Sequence, residues 1–211
     1  MVRKQVFSRE DVIRAGKAVV ARDGMGALSA RRVADELGAS TAPVYSNFAN
    51  MEELGIAVRR AVTEEIFEFT TRRFTDDPFL NMGVGVLEFA RQQPGLYSAV
   101  FMQEATKCEA GPELMGRLAE RMAGLAGLGA LSPGERALLL QQVAIFTHGL
   151  AVHIVSGLAE DMSFDDLLVF LADAGRAMTD RALSRPAREP AAEALMERLV
   201  NRQQKEDDRD E

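Results

Sequence analysis

The segment from Ser29 to Phe48 concentrates side chains that can contact a nucleic acid. Small side chains near its centre can approach thymine methyl groups, and the hydroxyl and amide groups beside them can donate hydrogen bonds to phosphate oxygens. Arg31 adds a guanidinium group that can bind a base edge. The residues that we predict to contact DNA are Ser29, Arg31, Ser40, Thr41, Ala42, Pro43, Tyr45, Ser46 and Asn47.

Two short helices must position these side chains. The sequence predicts one helix over residues 30–37, which Gly38 ends, and a second helix over residues 41–47, because glycine accepts the left-handed conformation that closes a helix. Val44 and Phe48 are four residues apart and are therefore expected to face the core. Two helices across a tight glycine turn form a helix-turn-helix, whose second helix enters the major groove by its N-terminal end.

Arg31 and Arg32 are placed unfavourably for an isolated helix. Both fall in the first turn of the helix over residues 30–37, where a cation opposes the helix dipole at a cost of ~0.3–1 kcal/mol. A polyanion beside these residues explains the placement. The alternative for Arg31 is an ordinary solvated surface arginine.

Charge is distributed unevenly along the chain. Residues 1–50 carry eight Lys or Arg against five Asp or Glu, whereas the remainder carries 17 against 27. A basic N-terminal part on an acidic body indicates a partner rich in phosphate. Chance clustering of charge produces the same pattern and stays open at this point.

Helix signals continue along the chain, and the sequence lacks hairpin turns between alternating runs. Serine or asparagine residues occupy helix-capping positions at Ser8, Ser29, Ser40, Asn50, Ser132 and Ser163. The spacing of apolar residues and of these caps predicts helices over residues 8–23, 30–37, 41–47, 51–74, 79–92, 95–104, 112–127, 133–157 and 163–184, with a weaker tenth over 190–204.

The expected fold is all-α. A three-helix helix-turn-helix domain would occupy residues 1–50, a larger helical ligand-binding and dimerisation domain residues 51–204, and a charged tail residues 205–211. The helices over 133–157 and 163–184 are apolar around much of their circumference and must be covered on all sides. We therefore expect a homodimer built on these two helices. The alternative is a monomer in which both are central.

The body contains many methionine and aromatic residues, which suit a cavity for a largely apolar small molecule. Core packing is the alternative explanation for each of them. The residues that we predict to contact such a ligand are Phe89, Tyr97, Phe101, Met122, Phe146 and His148.

The sequence offers little for metal or enzyme chemistry. His148 and His153 are five residues apart on one helix and point away from each other, so they cannot share a metal ion. Cys108 has no second cysteine with which to form a redox pair. The chain has no nucleophile elbow, zinc-protease motif or phosphate loop. We expect no catalytic residue, no metal and no cofactor.

The expected location is the cytoplasm. The first twenty residues lack an apolar signal segment, and the most apolar stretch, Val143 to Val155, is shorter than the ~20 residues that a bilayer helix needs.

Residues 8–60 resemble the DNA-binding domain of TetR-family transcriptional regulators. The matching positions are Val12-Ile13-Arg14-Ala15-Gly16, Gly24, Leu28-Ser29, Val33-Ala34, Leu37-Gly38, Val44-Tyr45, Phe48 and Glu53-Leu54. The resemblance implies an all-helical homodimer, a DNA operator as partner, and commonly repression that a small ligand relieves. The resemblance also implies that Arg31, Tyr45 and Ser46 contact DNA.

The sequence departs from the family pattern at one position. Members usually have a phosphate-contacting lysine before the fourth helix, and this chain has Met51 there. The expected function is therefore a dimeric, ligand-responsive regulator of transcription. The alternative is a helical small-molecule-binding protein that keeps the fold without binding DNA.

Overall fold

The computed structural model describes residues 6–102, 110–158 and 162–184, and every regular element in these ranges is helical. The all-α prediction is thus confirmed. The helices are α1 Arg9–Asp23, α2 Ala30–Leu37, α3 Ala42–Asn47, α4 Met51–Thr71, α5 Pro78–Gln92, α6 Pro94–Phe101, α7 Ala110–Ala123, α8 Pro133–Ser156 and α9 Phe164–Ser184, with 3-10 turns at Met25–Ala27 and Leu128–Ala130. Cys108, the predicted helix over 190–204 and the tail over 205–211 lie outside the described residues.

Side-chain caps set several helix starts where the sequence predicts them. Ser8 Oγ accepts from the Asp11 amide while the Asp11 carboxylate accepts from the Ser8 amide. Those bonds hold the pKa of Asp11 below its usual value. Ser132 forms the same reciprocal pair at the start of α8. Each pair satisfies amides that a helix start otherwise leaves unbonded.

The fourth helix ends earlier than the sequence suggests, at Thr71 instead of residue 74. Arg72 leaves the helix in an extended conformation, and its guanidinium lies 3.5 Å from the centre of the Phe69 ring. Asn81 Oδ1 then accepts from the amides of Phe74 and Thr75. The bonds from Asn81 hold residues 74 and 75 against α5. The spacing of apolar residues does not predict such contacts, so it does not predict the end of α4.

The N-terminal part and the body share α4. Leu54 and Val58 of α4 are fully buried, and both lie within 4 Å of where a side chain on Gly16 of α1 would begin. The rest of α4 packs along α5. The first turns of α4 therefore belong to the core of the N-terminal part, and the boundary at residue 50 stays a prediction.

α6 contacts the N-terminal part directly. A Cβ at position 95 would lie 1.9 Å from the Ala21 carbonyl oxygen of α1, so only glycine fits there. At the other end of the same short helix, the partly buried Phe101 packs against the core of the body. α6 thus connects the end of α1 with the interior of the body.

Helix α8 has 24 residues, and by length and composition alone it could cross a membrane (mean hydropathy 1.6 in its most apolar window). It packs against α5, α6, α7 and α9, yet only 28 % of that window is buried. Large apolar side chains on or next to α8 and α9 remain exposed: Ile145, Leu158, Val169, Phe170 and Leu183.

Candidate nucleic-acid interface and body cavity

α3 presents one face to solvent and the other to the core. Val44 and Phe48 are 1 % and 2 % exposed, as their four-residue spacing predicts. Thr41, Ala42 and Tyr45 face outward, and the Tyr45 side chain is 58 % exposed. The N-terminal end of α3 can therefore approach a large partner without rearrangement of the core.

The C-terminal end of α3 is bonded to α1 and α4 through Arg9. Its guanidinium donates to the Asn47 carbonyl (2.6 Å) and to Glu53 Oε1 (2.8 Å), and it lies 4.0 Å from the centre of the Phe48 ring. Glu53 also accepts from the Ala49 amide (2.7 Å). The Ala49 bond, and then the contact with Arg9, holds the pKa of Glu53 below its usual value. This network orients α3, and the sequence suggests Glu53 only as a capping partner of Asn50.

Asn47 has a different role from the phosphate contact that the sequence suggests. Its side-chain amide donates to the Pro43 carbonyl (2.8 Å) and to the Phe7 carbonyl (3.2 Å). An amide nitrogen has two donors, so both are used within the protein. Asn47 therefore positions α3 against the chain before α1.

The start of α3 also differs from expectation. The helix begins at Ala42, and Thr41 occupies the N-cap position without a side-chain hydrogen bond. Ser40, the predicted cap, accepts from the Ala42 amide in a long bond of 3.4 Å. Ser40 is exposed, and its hydroxyl can still donate to a phosphate. Pro43 lies in the first turn, as predicted.

Ser29 and Ser46 carry hydroxyl groups near the same surface. Ser29 caps α2 by accepting from the Arg32 amide, which leaves its hydroxyl proton free to donate. The Ser46 hydroxyl donates to the Pro43 carbonyl at 3.0 Å. Because Ser46 is exposed, rotation about its first side-chain torsion can exchange that bond for one to a phosphate oxygen.

The two arginines of α2 differ in their surroundings. Arg32 pairs with Asp23 at 2.9 Å, which offers an explanation for its position besides a nucleic acid. Arg31 is exposed and has no ion-pair partner among the described residues. The other described cations before residue 50 all pair with carboxylates: Arg9, Arg14, Lys17, Arg22 and Arg32.

Met51 is the first residue of α4 and is partly buried against the core. Its thioether cannot bind a phosphate as an ammonium group does. Arg31 and the N-terminal end of α3 are therefore the groups of this surface that can supply charge and hydrogen bonds.

A cavity of about 310 Å³, partly open to solvent, lies between α4, α5, α6, α7 and α8. Three of the residues predicted to contact a ligand line it: Tyr97, Phe101 and His148. Phe89 does not, because it is fully buried and its ring packs edge-on against Phe69 with centroids 5.4 Å apart.

Met122 and Phe146 also lie outside this cavity. Met122 is fully buried in the core, and Phe146 packs against the core. Residues that the sequence did not single out as ligand contacts complete the lining: Ile66, Phe79, Met82, Gly83, Val86, Leu114, Met115, Leu118, Leu140, Gln141, Val143, Ala144, Ile145 and Thr147.

Three polar side chains that line the cavity are neighbours: Thr147 and His148 are adjacent in sequence, and Tyr97 contacts His148. Tyr97 Oη is 2.8 Å from His148 Nδ1, and the two rings stack with centroids 5.9 Å apart. Burial raises the pKa of the Tyr97 phenol, which therefore stays protonated. The Thr147 hydroxyl is buried and has no hydrogen-bond partner among the described residues. A lone threonine on an apolar helix was the available signal for this feature.

No group of three or more His, Cys, Asp or Glu side chains within residues 6–102, 110–158 and 162–184 is arranged to hold a metal ion.

Comparison with known proteins agrees with this arrangement. Residues 12–58 match the family model for bacterial regulatory proteins of the tetR family. A stretch of 103 residues is 29 % identical to Rv0681, an uncharacterized HTH-type transcriptional regulator of Mycobacterium tuberculosis. The match covers 47 % of this chain and 47 % of that protein, so the chain spans about half the length of the curated relative it matches.

Solved structures share the fold over most of the chain. One is a single-substitution variant of TetR from Acinetobacter baumannii AYE in complex with minocycline (TM-score 0.60, 16 % identity, 85 % of this chain and 99 % of that one). Another is BioQ with its natural double-stranded DNA operator (TM-score 0.55, 19 % identity, 85 % and 99 %). The N-terminal sequence of this chain is thus similar to that of tetR-family bacterial regulatory proteins, and its described part has the same fold as these solved structures.

Proposed function

We propose that this protein is a dimeric transcriptional regulator that inserts α3 into the major groove of operator DNA. The observation that carries the proposal is the outward face of α3, where Thr41, Ala42 and Tyr45 are exposed while Val44 and Phe48 anchor the helix. Arg31 on the neighbouring helix adds the one described cation before residue 50 without a carboxylate partner. The DNA-bound BioQ structure, which has the same fold, supports this mode of binding.

The same proposal assigns the body cavity to a small-molecule effector. Its volume lies at the lower end of the range for ligand sites, and a protein of the same fold holds minocycline. We infer that the effector releases the protein from its operator, as a repressor requires. The proposal also places the protein in the cytoplasm, where it has access to DNA, and assigns it no catalytic activity.

Two contacts can couple ligand binding in the cavity to the position of the N-terminal helices. On α6, Tyr97 lines the cavity while Gly95 lies against Ala21 of α1. On α7, whose Leu114 lines the cavity, Arg117 forms a bidentate pair with Glu64 of α4. An effector with unequal affinity for two arrangements of α6 and α7 would shift their populations and with them the position of α3.

We further propose that the exposed apolar face of α8 and α9 is covered by a second copy of the chain. Val169 and Ile145 are 65 % and 64 % exposed, which is unusual for side chains of this type on two central helices. A homodimer about a two-fold axis buries this face against itself. It also places two copies of α3 at separate sites on one duplex.

If α8 and α9 form the dimer interface, a charge introduced on their exposed apolar face should dissociate the dimer. Light scattering of the wild-type protein at micromolar concentration should give twice the 23.1 kDa of one chain. Val169→Glu should shift the mass toward one chain, because the carboxylate would be buried without a partner. The matched variant Ile56→Glu changes an exposed residue of α4 and should stay dimeric. A wild-type mass of one chain would contradict this part of the proposal.

Binding to mixed-sequence duplex DNA at low salt tests DNA binding itself and separates it from the alternative of a helical ligand-binding protein. The affinity should fall as salt rises, because bound cations release counterions from phosphate. Met51→Lys should steepen the slope of log affinity against log salt by about 0.9, the value for one added phosphate contact. Met102→Lys adds the same charge at an exposed site in the body and should leave the slope unchanged. Equal slopes for Met51→Lys and wild type would show that position 51 does not approach phosphate.

A further inference from the structure

We propose that α3 recognises the methyl group at C5 of pyrimidines, so that its half-site accepts thymine or 5-methylcytosine and disfavours uracil and cytosine. The inference rests on the proposed function, since it names the chemical group by which the operator is recognised. Three features of α3 support it: the direction of its outward side, the bonds that Asn47 makes within the protein, and the small side chains at its start.

The two buried anchors of α3 fix which side of the helix faces outward. Val44 and Phe48 are 1 % and 2 % exposed. Successive residues of a helix are turned by about 100°, so Ala42 and Ser46, each two positions from an anchor, lie on the opposite side. Both are exposed. If α3 enters the major groove while its core stays intact, Ala42 and Ser46 are therefore the first residues to meet the base edges.

α3 lacks a free side chain for paired hydrogen bonds to a base. Such bonds come from Arg, Lys, Asn or Gln, and cytosine is also recognised by Asp or Glu. In residues 38–47, all of which the structure describes, Asn47 is the one residue of these types. Both donors of its amide are used within the protein, by the Pro43 and Phe7 carbonyls. Asn47 therefore cannot donate to a base unless it breaks a bond that positions α3.

The hydroxyl groups on the same end of the helix discriminate weakly between bases. A hydroxyl both donates and accepts, so it can bond to the oxygen at C4 of thymine as well as to the amino group at C4 of cytosine. The Ser46 hydroxyl already donates to the Pro43 carbonyl at 3.0 Å. These hydroxyls can strengthen binding to DNA, but they do not separate thymine from cytosine.

Methyl groups are what the start of α3 presents to a base. The Ala42 side chain is a methyl group, and Thr41, at the N-cap position, carries a methyl beside a hydroxyl that makes no capping bond. Both residues are exposed, and small apolar groups pack against the C5 methyl of thymine in the major groove. 5-Methylcytosine has its methyl at the same ring position, whereas uracil and cytosine have a hydrogen there. Binding would therefore respond to methylation of cytosine at C5.

Four duplexes test the proposal in gel shifts of the full chain at fixed salt. In a duplex that the wild type selects, one thymine of the half-site at a time is kept or replaced by uracil, with adenine opposite. The same position is then replaced by 5-methylcytosine or cytosine, with guanine opposite. At one or more positions we expect thymine to exceed uracil, and 5-methylcytosine to exceed cytosine, each by about three- to fivefold. That is the factor for burying one carbon of this size.

Variants assign the two ratios to side chains of α3. Ala42→Gly removes a methyl group at the start of the helix, and Thr41→Ser removes a methyl but keeps the hydroxyl. We expect one or both to bring the ratios close to one. Arg31→Ala should weaken binding to all four duplexes and leave the ratios unchanged, because a guanidinium acts through hydrogen bonds. Ala123→Gly is the matched control at an exposed position in α7 and should change neither affinity nor ratio.

The outcomes separate this inference from the proposed function. Ratios of one at every position, in a wild type that binds the selected duplex, would overturn the inference and leave the proposed function standing. A 5-methylcytosine duplex bound no better than the cytosine duplex would do the same, as would ratios that survive in both Ala42→Gly and Thr41→Ser. A wild type that binds neither these duplexes nor mixed-sequence DNA at low salt would contradict the proposed function and the inference together.

Discussion

Replacing Arg31 by alanine should weaken binding to a specific duplex by about 5- to 150-fold. A guanidinium that reads a base edge contributes ~1–3 kcal/mol, and Arg31 has no carboxylate partner among the described residues that would compete for it. The substitution should leave the melting temperature unchanged, because the side chain is exposed and removal of a cation from the first turn of α2 relieves the helix dipole. Gel shifts at fixed salt, on a duplex that the wild type selects, measure the effect.

Tyr45→Phe tests the adjacent contact on α3 and should weaken binding by a smaller factor, since it removes a single hydroxyl donor. Arg73→Ala is the control for a change of charge, because Arg73 is exposed and pairs with Asp76 in the loop before α5. It should bind DNA as the wild type does. Wild-type affinity in both Arg31→Ala and Tyr45→Phe would refute the assignment of these contacts.

Gly95→Ala should destabilise the fold by ~1–3 kcal/mol, the range for overpacking a well-packed site. The new Cβ would lie 1.9 Å from the Ala21 carbonyl oxygen, and a backbone atom at the end of α1 cannot move without moving the helix. α6 would have to withdraw from α1, which lowers the free energy of unfolding. Urea denaturation of the two proteins measures the difference.

Gly116→Ala provides the matched comparison for this substitution. Gly116 is also a helical glycine, and a Cβ there would meet nothing within 4 Å. That variant should be stabilised by ~0.5–1 kcal/mol, because alanine loses less conformational freedom than glycine in a helix. Equal stability of Gly95→Ala and wild type would mean that α6 and α1 do not make the contact through which we propose the cavity acts on the N-terminal part.

The helices could be predicted from the sequence because their signals are local. Ser8, Ser132 and Ser163 each stand three residues before an acidic side chain, and the structure contains all three reciprocal caps. Val44 and Phe48 are buried as their spacing indicates. The surroundings of Arg32 could not be predicted in this way, because its partner Asp23 lies on another helix.

The cavity could be predicted only in part. Phe89 and Tyr97 are both aromatic and both buried, yet only Tyr97 faces the open volume. Whether a buried side chain meets another side chain or a void depends on how five helices pack, and helical periodicity carries no information on that. Thr147 was overlooked for the same reason, since a threonine within a helix usually bonds to its own backbone.

Selection of bound sequences from a random pool of duplex DNA shows whether two copies of α3 bind one duplex. If two copies of α3 read one duplex, the enriched sequences should contain an inverted repeat whose half-sites are centred about one turn, ~34–36 Å, or a multiple of it apart. Val169→Glu should recover the same half-site with lower enrichment. If the wild-type pool shows no enrichment, or enriches a single half-site without its inverted copy, the protein does not bind DNA as a two-fold dimer through α3.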